Sequence, residues 1–124
     1  MVVTPTGGGG FLGRYIVEKL VARGDRVRSF GRRDYRDLAA LGVEVVRGDI
    51  SDQQQIAAAC ADIDCVFHVA ARPCTSVLPR PYYQANTLGT QHVLAGCRRH
   101  GVPRLVYTSS PSVVFSGVDQ TNID

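Results

Sequence analysis

Residues 6–13 read Thr6-Gly7-Gly8-Gly9-Gly10-Phe11-Leu12-Gly13, five glycines in eight positions. A short β-branched run, Val2–Thr4, precedes them. After them Leu12, Ile16 and Leu20 recur at helical spacing, flanked by Val17 and Val21, and Gly24 stands where such a helix stops. The stretch is therefore a turn between a strand and a helix. Two glycine registers fit it: Gly7-x-x-Gly10-x-x-Gly13 and Gly8-x-Gly10-x-x-Gly13. Both answer one physical need: a tight turn, a pyrophosphate close to the backbone, and a helix packed close on its strand. The helix N-terminus adds free N–H groups and the positive end of its dipole. A phosphate loop for ATP would follow Gly13 with Lys and Ser or Thr. Arg14 and Tyr15 stand there instead, which removes both the phosphate lysine and the magnesium hydroxyl.

Outward from this turn, two kinds of segment alternate. Further apolar runs lie at Arg26–Phe30, Val43–Arg47, Cys65–Val69 and Leu105–Thr108. Helical stretches separate them, over Tyr35–Leu41, over Asp52–Ala61 with Ser51 or Asp52 as N-cap, and over Pro81–His100. Pro81 suits a first turn, Gly101 a C′ position, and Pro103 forbids continuation. Apolar strands alternating with helices predict an α/β fold: a doubly wound parallel sheet of about five strands, covered on both faces. No periodicity follows Ser110, and the chain stops at Asp124 without a closing element, as in a truncated domain.

The length, 124 residues, suits one domain, residues 1–124. Fourteen basic residues face eleven acidic ones, an excess of +3 that gives no argument for nucleic acid. Thirteen of the fourteen are arginine, and Lys19 is the single lysine. No apolar run approaches the roughly 20 residues of a membrane span, and the N-terminus lacks the pattern of a signal peptide. Cys60, Cys65, Cys74 and Cys97 are scattered, with no metal-ligand spacing, so no metal site is expected. Reduced thiols in a cytoplasmic protein follow.

The end of the second strand sorts NAD from NADP, because an acidic residue there accepts from the ribose 2′-OH while Arg accommodates a 2′-phosphate. Gly31 lies eighteen residues past Gly13, followed by Arg32 and Arg33, and the nearest carboxylate, Asp34, is displaced by three. Arg32 favours NADP over NAD.

Five spaced motifs make a family likeness specific: TGGGGFLG at Thr6–Gly13, GDI at Gly48–Ile50, HVAA at His68–Ala71, YQANTLGT at Tyr83–Thr90 and LVYTSS at Leu105–Ser110. In this order the chain resembles the N-terminal part of an extended short-chain dehydrogenase/reductase. This is the NAD-dependent epimerase/dehydratase group, and within it the 3β-hydroxysteroid dehydrogenase-like branch, with a Rossmann fold. The resemblance implies that Gly7, Gly10, Phe11, Leu12 and Gly13 hold the pyrophosphate. It implies that Asp49 and Ile50 meet the adenine, although Asp49 is also placed to cap the next helix. Ala70 and Ala71 would line the cofactor's ribose side, and Asn86 would help organise the site. Ser110, with Ser109 second, would be the catalytic hydroxyl that hydrogen-bonds a substrate carbonyl or alcohol. His68 reads as a satisfied core histidine. The implied activity is NAD(P)-dependent hydride transfer with a secondary alcohol or ketone, on a sterol-like substrate of steroid biosynthesis or on a sugar nucleotide. The family often dimerises, so a homodimer is one assembly the resemblance allows. The other class of function that fits is a noncatalytic NAD(P)-binding or redox-sensing module.

Two departures stand out. The family's proton chemistry uses a Tyr-x-x-x-Lys pair after the serine strand, where lysine lowers the phenol pKa. Here the one such string, Tyr15 to Lys19, lies in the first helix, where Tyr15 would pack at the phosphate end and Lys19 would pair with nearby acids. This chain alone is therefore expected to be inactive, the cofactor half of a longer enzyme. Pro5 also stands where the family carries an apolar strand residue. Proline removes a ladder donor, a small loss at a strand end and a large one inside.

Overall fold

The computed structural model describes residues 1–73, 78–114 and 116–117. The expected thiol at Cys74 and the sequence after Gly117 lie outside the described residues. Strand β1 (Val2–Thr6) leads through the glycine turn into helix α1 (Phe11–Ala22). Then follow β2 (Arg26–Gly31), α2 (Arg36–Ala40), β3 (Glu44–Arg47), α3 (Gln53–Ala59) and β4 (Cys65–His68). A helical run next passes through α4 (Pro79–Tyr82), a π segment (Tyr83–Leu88) and α5 (Gly89–Arg99). Strand β5 (Leu105–Tyr107) and a 3-10 turn (Pro111–Val114) complete the described chain. The sheet is parallel throughout in the order β3-β2-β1-β4-β5. This is the doubly wound, Rossmann-type arrangement expected from the alternation.

Period-two alternation along the strands builds two cores. On one face Val3, Val27 and Cys65 meet Val17 and Leu20 of α1 and Leu38 of α2. On the other, Phe30 and Val66 meet Ile56 and Cys60 of α3 and Val93 and Cys97 of α5. Helices α3 and α5 approach closely because Gly96 faces the backbone of Ala57, where an added Cβ would sit 3.3 Å from its Cα. Arg28 closes the end of α3, donating to the carbonyls of Ala59 and Ala61 at 3.4 and 2.8 Å and pairing with Glu44 at 3.0 Å. Burial pushes the Cys60 thiol up to about 12, and those of Cys65 and Cys97 upward as well, so all three are neutral, unreactive core residues.

Caps and breakers sit close to their expected positions. Asp52 is the N-cap of α3, its carboxylate accepting from the N–H groups of Gln54 and Gln55. Gly24, Gly42 and Gly101 end their helices with positive φ. Three expectations need correction. The long helix is not uniform over Pro81–His100: it starts at Pro79, and its pitch widens to π over Tyr83–Leu88. The buried stripe of α1 runs through Gly13, Val17 and Leu20, whereas Leu12 is 46% exposed, since a glycine lets the strand side approach more closely than a leucine would. Pro5 is not at a strand end. It is buried inside the central strand, facing Phe67 across the ladder to β4. The ladder to β2 runs through Val2, Val3 and Thr6, skipping Thr4 and Pro5, where the proline has no N–H to give.

No helix among the described residues is long and apolar enough to cross a membrane.

Candidate functional site

The central strand β1 has β2 on one side and β4 on the other, with the connections turning to opposite faces of the sheet. Beyond the carboxyl ends of strands at such a switch point a crevice is left, where open α/β sheets take their ligands. A cleft of about 380 Å³ opens there. It is lined by Gly7 from the turn, Phe30, Gly31 and Arg32 from β2 and its end, and Gly48, Asp49 and Ile50 from the end of β3. Ala70, Ala71, Arg72 and Pro73 after β4, and Ala85 from the π segment, form the far wall.

The turn at the cleft's mouth has the geometry a phosphate requires. Gly7 is the turning residue, with φ +72°, and its N–H donates to Phe30 O at 2.9 Å while its carbonyl accepts from Gly10 at 3.0 Å. A Cβ on Gly7 would stand 2.9 Å from Ala70 Cα, closing the cleft between β1 and β4. A Cβ on Gly13 would overlap the Gly7 carbonyl, so α1 packs on the turn only with glycine there. Gly8 is closed to a Cβ as well, which would overlap Ser29 Oγ, so both glycine registers are needed and Gly7 is the one that turns with positive φ. The N-cap of α1 is Gly10, with no side-chain cap and no carboxylate in the first turn. The leading N–H groups are thus left for an anion, where a helix N-terminus favours negative charge.

Asp49 sits opposite, at the β3 end. Its Oδ1 accepts from the Ser51 N–H and hydroxyl at 2.8 and 2.7 Å, and these bonds hold the carboxyl below its usual range. It is ionised near neutral pH and placed to accept from a ligand hydroxyl or amine. The competing role, capping the next helix, belongs to Asp52.

The sequence-derived residues divide into three groups. Gly7, Arg32, Asp49, Ile50, Ala70 and Ala71 converge on the cleft. Gly10, Phe11, Leu12 and Gly13 form the adjoining helix start, with Phe11 89% exposed. Asn86 lies behind the wall: its amide accepts from Arg72 N–H at 2.7 Å and donates to Arg72 O at 3.1 Å. Ser109 and Ser110 follow β5 and are exposed, outside the lining of the cleft, with Ser110 Oγ 2.8 Å from Ser112 Oγ. Tyr15 and Lys19 line a separate apolar groove with Phe67, and Lys19 makes no ion pair among the described residues.

Several contributors carried no signal strong enough to single them out in the sequence. Arg72 and Pro73 follow the alanine pair directly but belong to no periodic element. Thr6 and Thr90 are ordinary hydroxyls in sequence. In the structure both bond to His68, which is 2% exposed, and burial lowers the His68 pKa to about 4.

Strand order, glycine turn and cleft define a nucleotide-binding sheet of the short-chain dehydrogenase/reductase type. Comparison with known proteins agrees. The chain is 34% identical to Thermus thermophilus UDP-glucose 4-epimerase, solved in complex with NAD, with a TM-score of 0.80 over 89% of this chain and 38% of that one. It is 47% identical over 113 residues to a 2-alkyl-3-oxoalkanoate reductase of Stenotrophomonas maltophilia, covering 91% of this chain and 34% of the relative. It is 39% identical over 119 residues to the human decarboxylating sterol-4-alpha-carboxylate 3-dehydrogenase, covering 96% of this chain and 31% of the relative. The model of the 3-beta hydroxysteroid dehydrogenase/isomerase family matches residues 2–124, and the chain belongs to that family. It spans about a third of the length of the curated relatives it matches.

Proposed function

We propose that residues 1–124 are the dinucleotide-binding portion of an NAD(P)-dependent oxidoreductase. One observation carries this: an uncapped helix N-terminus and a glycine turn with no room for a Cβ at Gly7 or Gly13 meet a cleft at the sheet's switch point. The residues fit the group. Backbone N–H groups of Phe11, Leu12 and Gly13 would take the pyrophosphate, Asp49 and Ile50 the adenosine end, and the small side chains of Ala70 and Ala71 the other ribose. The cofactor would supply a hydride acceptor or donor. The chain's own residues bind it, orient it along the carboxyl ends of the strands, and leave the nicotinamide side toward β4 and β5.

The complete protein would move hydride to or from a secondary alcohol or ketone, on a sterol-like substrate by analogy with its relatives. Ser110 or Ser109, at the β5 end, would bond the substrate oxygen. Tyr15 and Lys19 lie outside the cleft and supply no proton chemistry to it.

Arg32 lines the cleft where a 2′-phosphate would lie, which supports NADP over NAD. Titration of the chain with NADH and NADPH, followed by nicotinamide fluorescence, tests both parts. Binding with preference for NADPH is expected, and Arg32→Asp should reverse it. Failure of either dinucleotide to bind would sink the proposal, and an unchanged preference in Arg32→Asp would remove the 2′-phosphate argument.

A further inference from the structure

Thr6, His68, Thr90 and Asn86 come from four elements, β1, β4, α5 and the π segment, and join in one line of hydrogen bonds. Thr6 Oγ1 accepts from the N–H groups of Val69 and Ala70, both at 3.2 Å, and lies 2.8 Å from His68 Nδ1. His68 Nε2 lies 2.9 Å from Thr90 Oγ1, and the Thr90 hydroxyl donates to Asn86 O at 2.7 Å. The Asn86 amide then holds both backbone groups of Arg72.

The proton positions follow from counting donors. A hydroxyl has two acceptor sites and one proton. Two backbone N–H groups occupy the acceptor sites of Thr6, so its proton points to His68 Nδ1. Nδ1 is therefore bare, and the ring proton is on Nε2, where it donates to Thr90. The Thr90 proton is already committed to the Asn86 carbonyl, so Thr90 can receive that donation. One arrangement satisfies every group. An imidazolium would set a second proton against Thr6, whose lone pairs are taken.

The line ends on functional ground. Ala70–Pro73 belongs to the far wall of the cleft, pinned near one end by Thr6 and near the other by Asn86. His68 is the link between the two pins. We propose that His68 is a positioning residue: its Nε2–H tautomer ties β1, the loop after β4 and the π segment into one frame that holds the cleft wall for a bound dinucleotide. The π pitch at Tyr83–Leu88 belongs to this frame, since Thr90 receives the imidazole while occupying the Asn86 carbonyl.

The role rests on the dinucleotide reading above, and Thr90 offers a test away from the ligand, because it does not line the cleft. Imidazole nitrogen NMR of the unmodified chain should show a bare Nδ1 and a protonated Nε2 at neutral pH. Thr90→Val should keep the circular dichroism of the fold and weaken dinucleotide binding about tenfold, the size expected for orphaning a buried donor. Thr90→Ser should bind as the unmodified chain does. An Nδ1–H tautomer, or equal affinity for Thr90→Val and the unmodified chain, would overturn the positioning role while leaving dinucleotide binding intact. An unmodified chain that binds neither NADH nor NADPH overturns the dinucleotide reading itself, and the positioning role with it.

Discussion

His68 shows how much one side chain can depend on its surroundings. Its folded-state pKa, about 4, lies below the ordinary value of 6.5 because burial penalises the charged ring. Between these values the unfolded chain binds a proton that the folded chain refuses. Stability is therefore full above about pH 6.5 and falls as the pH drops toward 4, by on the order of 3 kcal/mol in all. Denaturant titrations across that window should show the slope, and His68→Gln should flatten it relative to the unmodified chain. An equal slope in both would mean that other groups carry the acid sensitivity. Gly13 makes a steric counterpart. Its missing Cβ is the space occupied by the Gly7 carbonyl. Gly13→Ala should cost about 1–3 kcal/mol by overpacking, seen as a lower Tm, and should also displace the N–H groups offered to phosphate, abolishing dinucleotide binding.

At the scale of elements, the sequence and the structure agree wherever a local rule was strong. Asp52 as the cap of α3 was one of two candidates, and the structure selects it through two N–H bonds. Asp52→Ala should lower stability by about 1 kcal/mol, measured by urea denaturation, with Asp52→Asn largely restoring it. The disagreements occur where local rules met tertiary demands. The first strand was expected over Val2–Thr4, yet it runs on through the buried Pro5 to Thr6, pairing with β4 and forgoing one bond to β2. Pro5→Val should supply that bond and raise stability by roughly 1 kcal/mol, visible as a higher Tm. A lower Tm would show that the proline's restriction of the unfolded chain matters more. The π segment was invisible in the sequence, since its apolar spacing passes for α.

For the whole molecule, the arrangement of cleft and switch point predicts coupling between ligand and stability. Dinucleotide present at a hundred times its Kd should stabilise the chain by about 2.7 kcal/mol and raise Tm by roughly 10 °C. Differential scanning fluorimetry with NADPH, NADH and ATP would read this, with no shift expected for ATP. An equal shift with ATP would mean that the cleft recognises nucleotides without regard to the nicotinamide half.

The alternation of apolar runs with helical spacing was enough to specify a doubly wound parallel sheet, and the glycine turn alone placed the end at which its cleft opens. Both are encoded in contiguous residues, and short-range sterics and periodic burial act along the chain. Gly7 and Arg32 were legible for the same reason, whereas Asp49, Ile50, Ala70 and Ala71 came from the family resemblance; all six line the cleft. What only the tertiary structure decided is how separate elements share polar groups: which glycine turns, that Asn86 grips Arg72 from behind the wall, and that Thr6, His68 and Thr90 form one frame. Thr6 and His68 stand 62 residues apart. A hydroxyl or an imidazole gains its tautomer, charge and role from partners brought within about 3 Å by folding, and no spacing along the chain announces those partners.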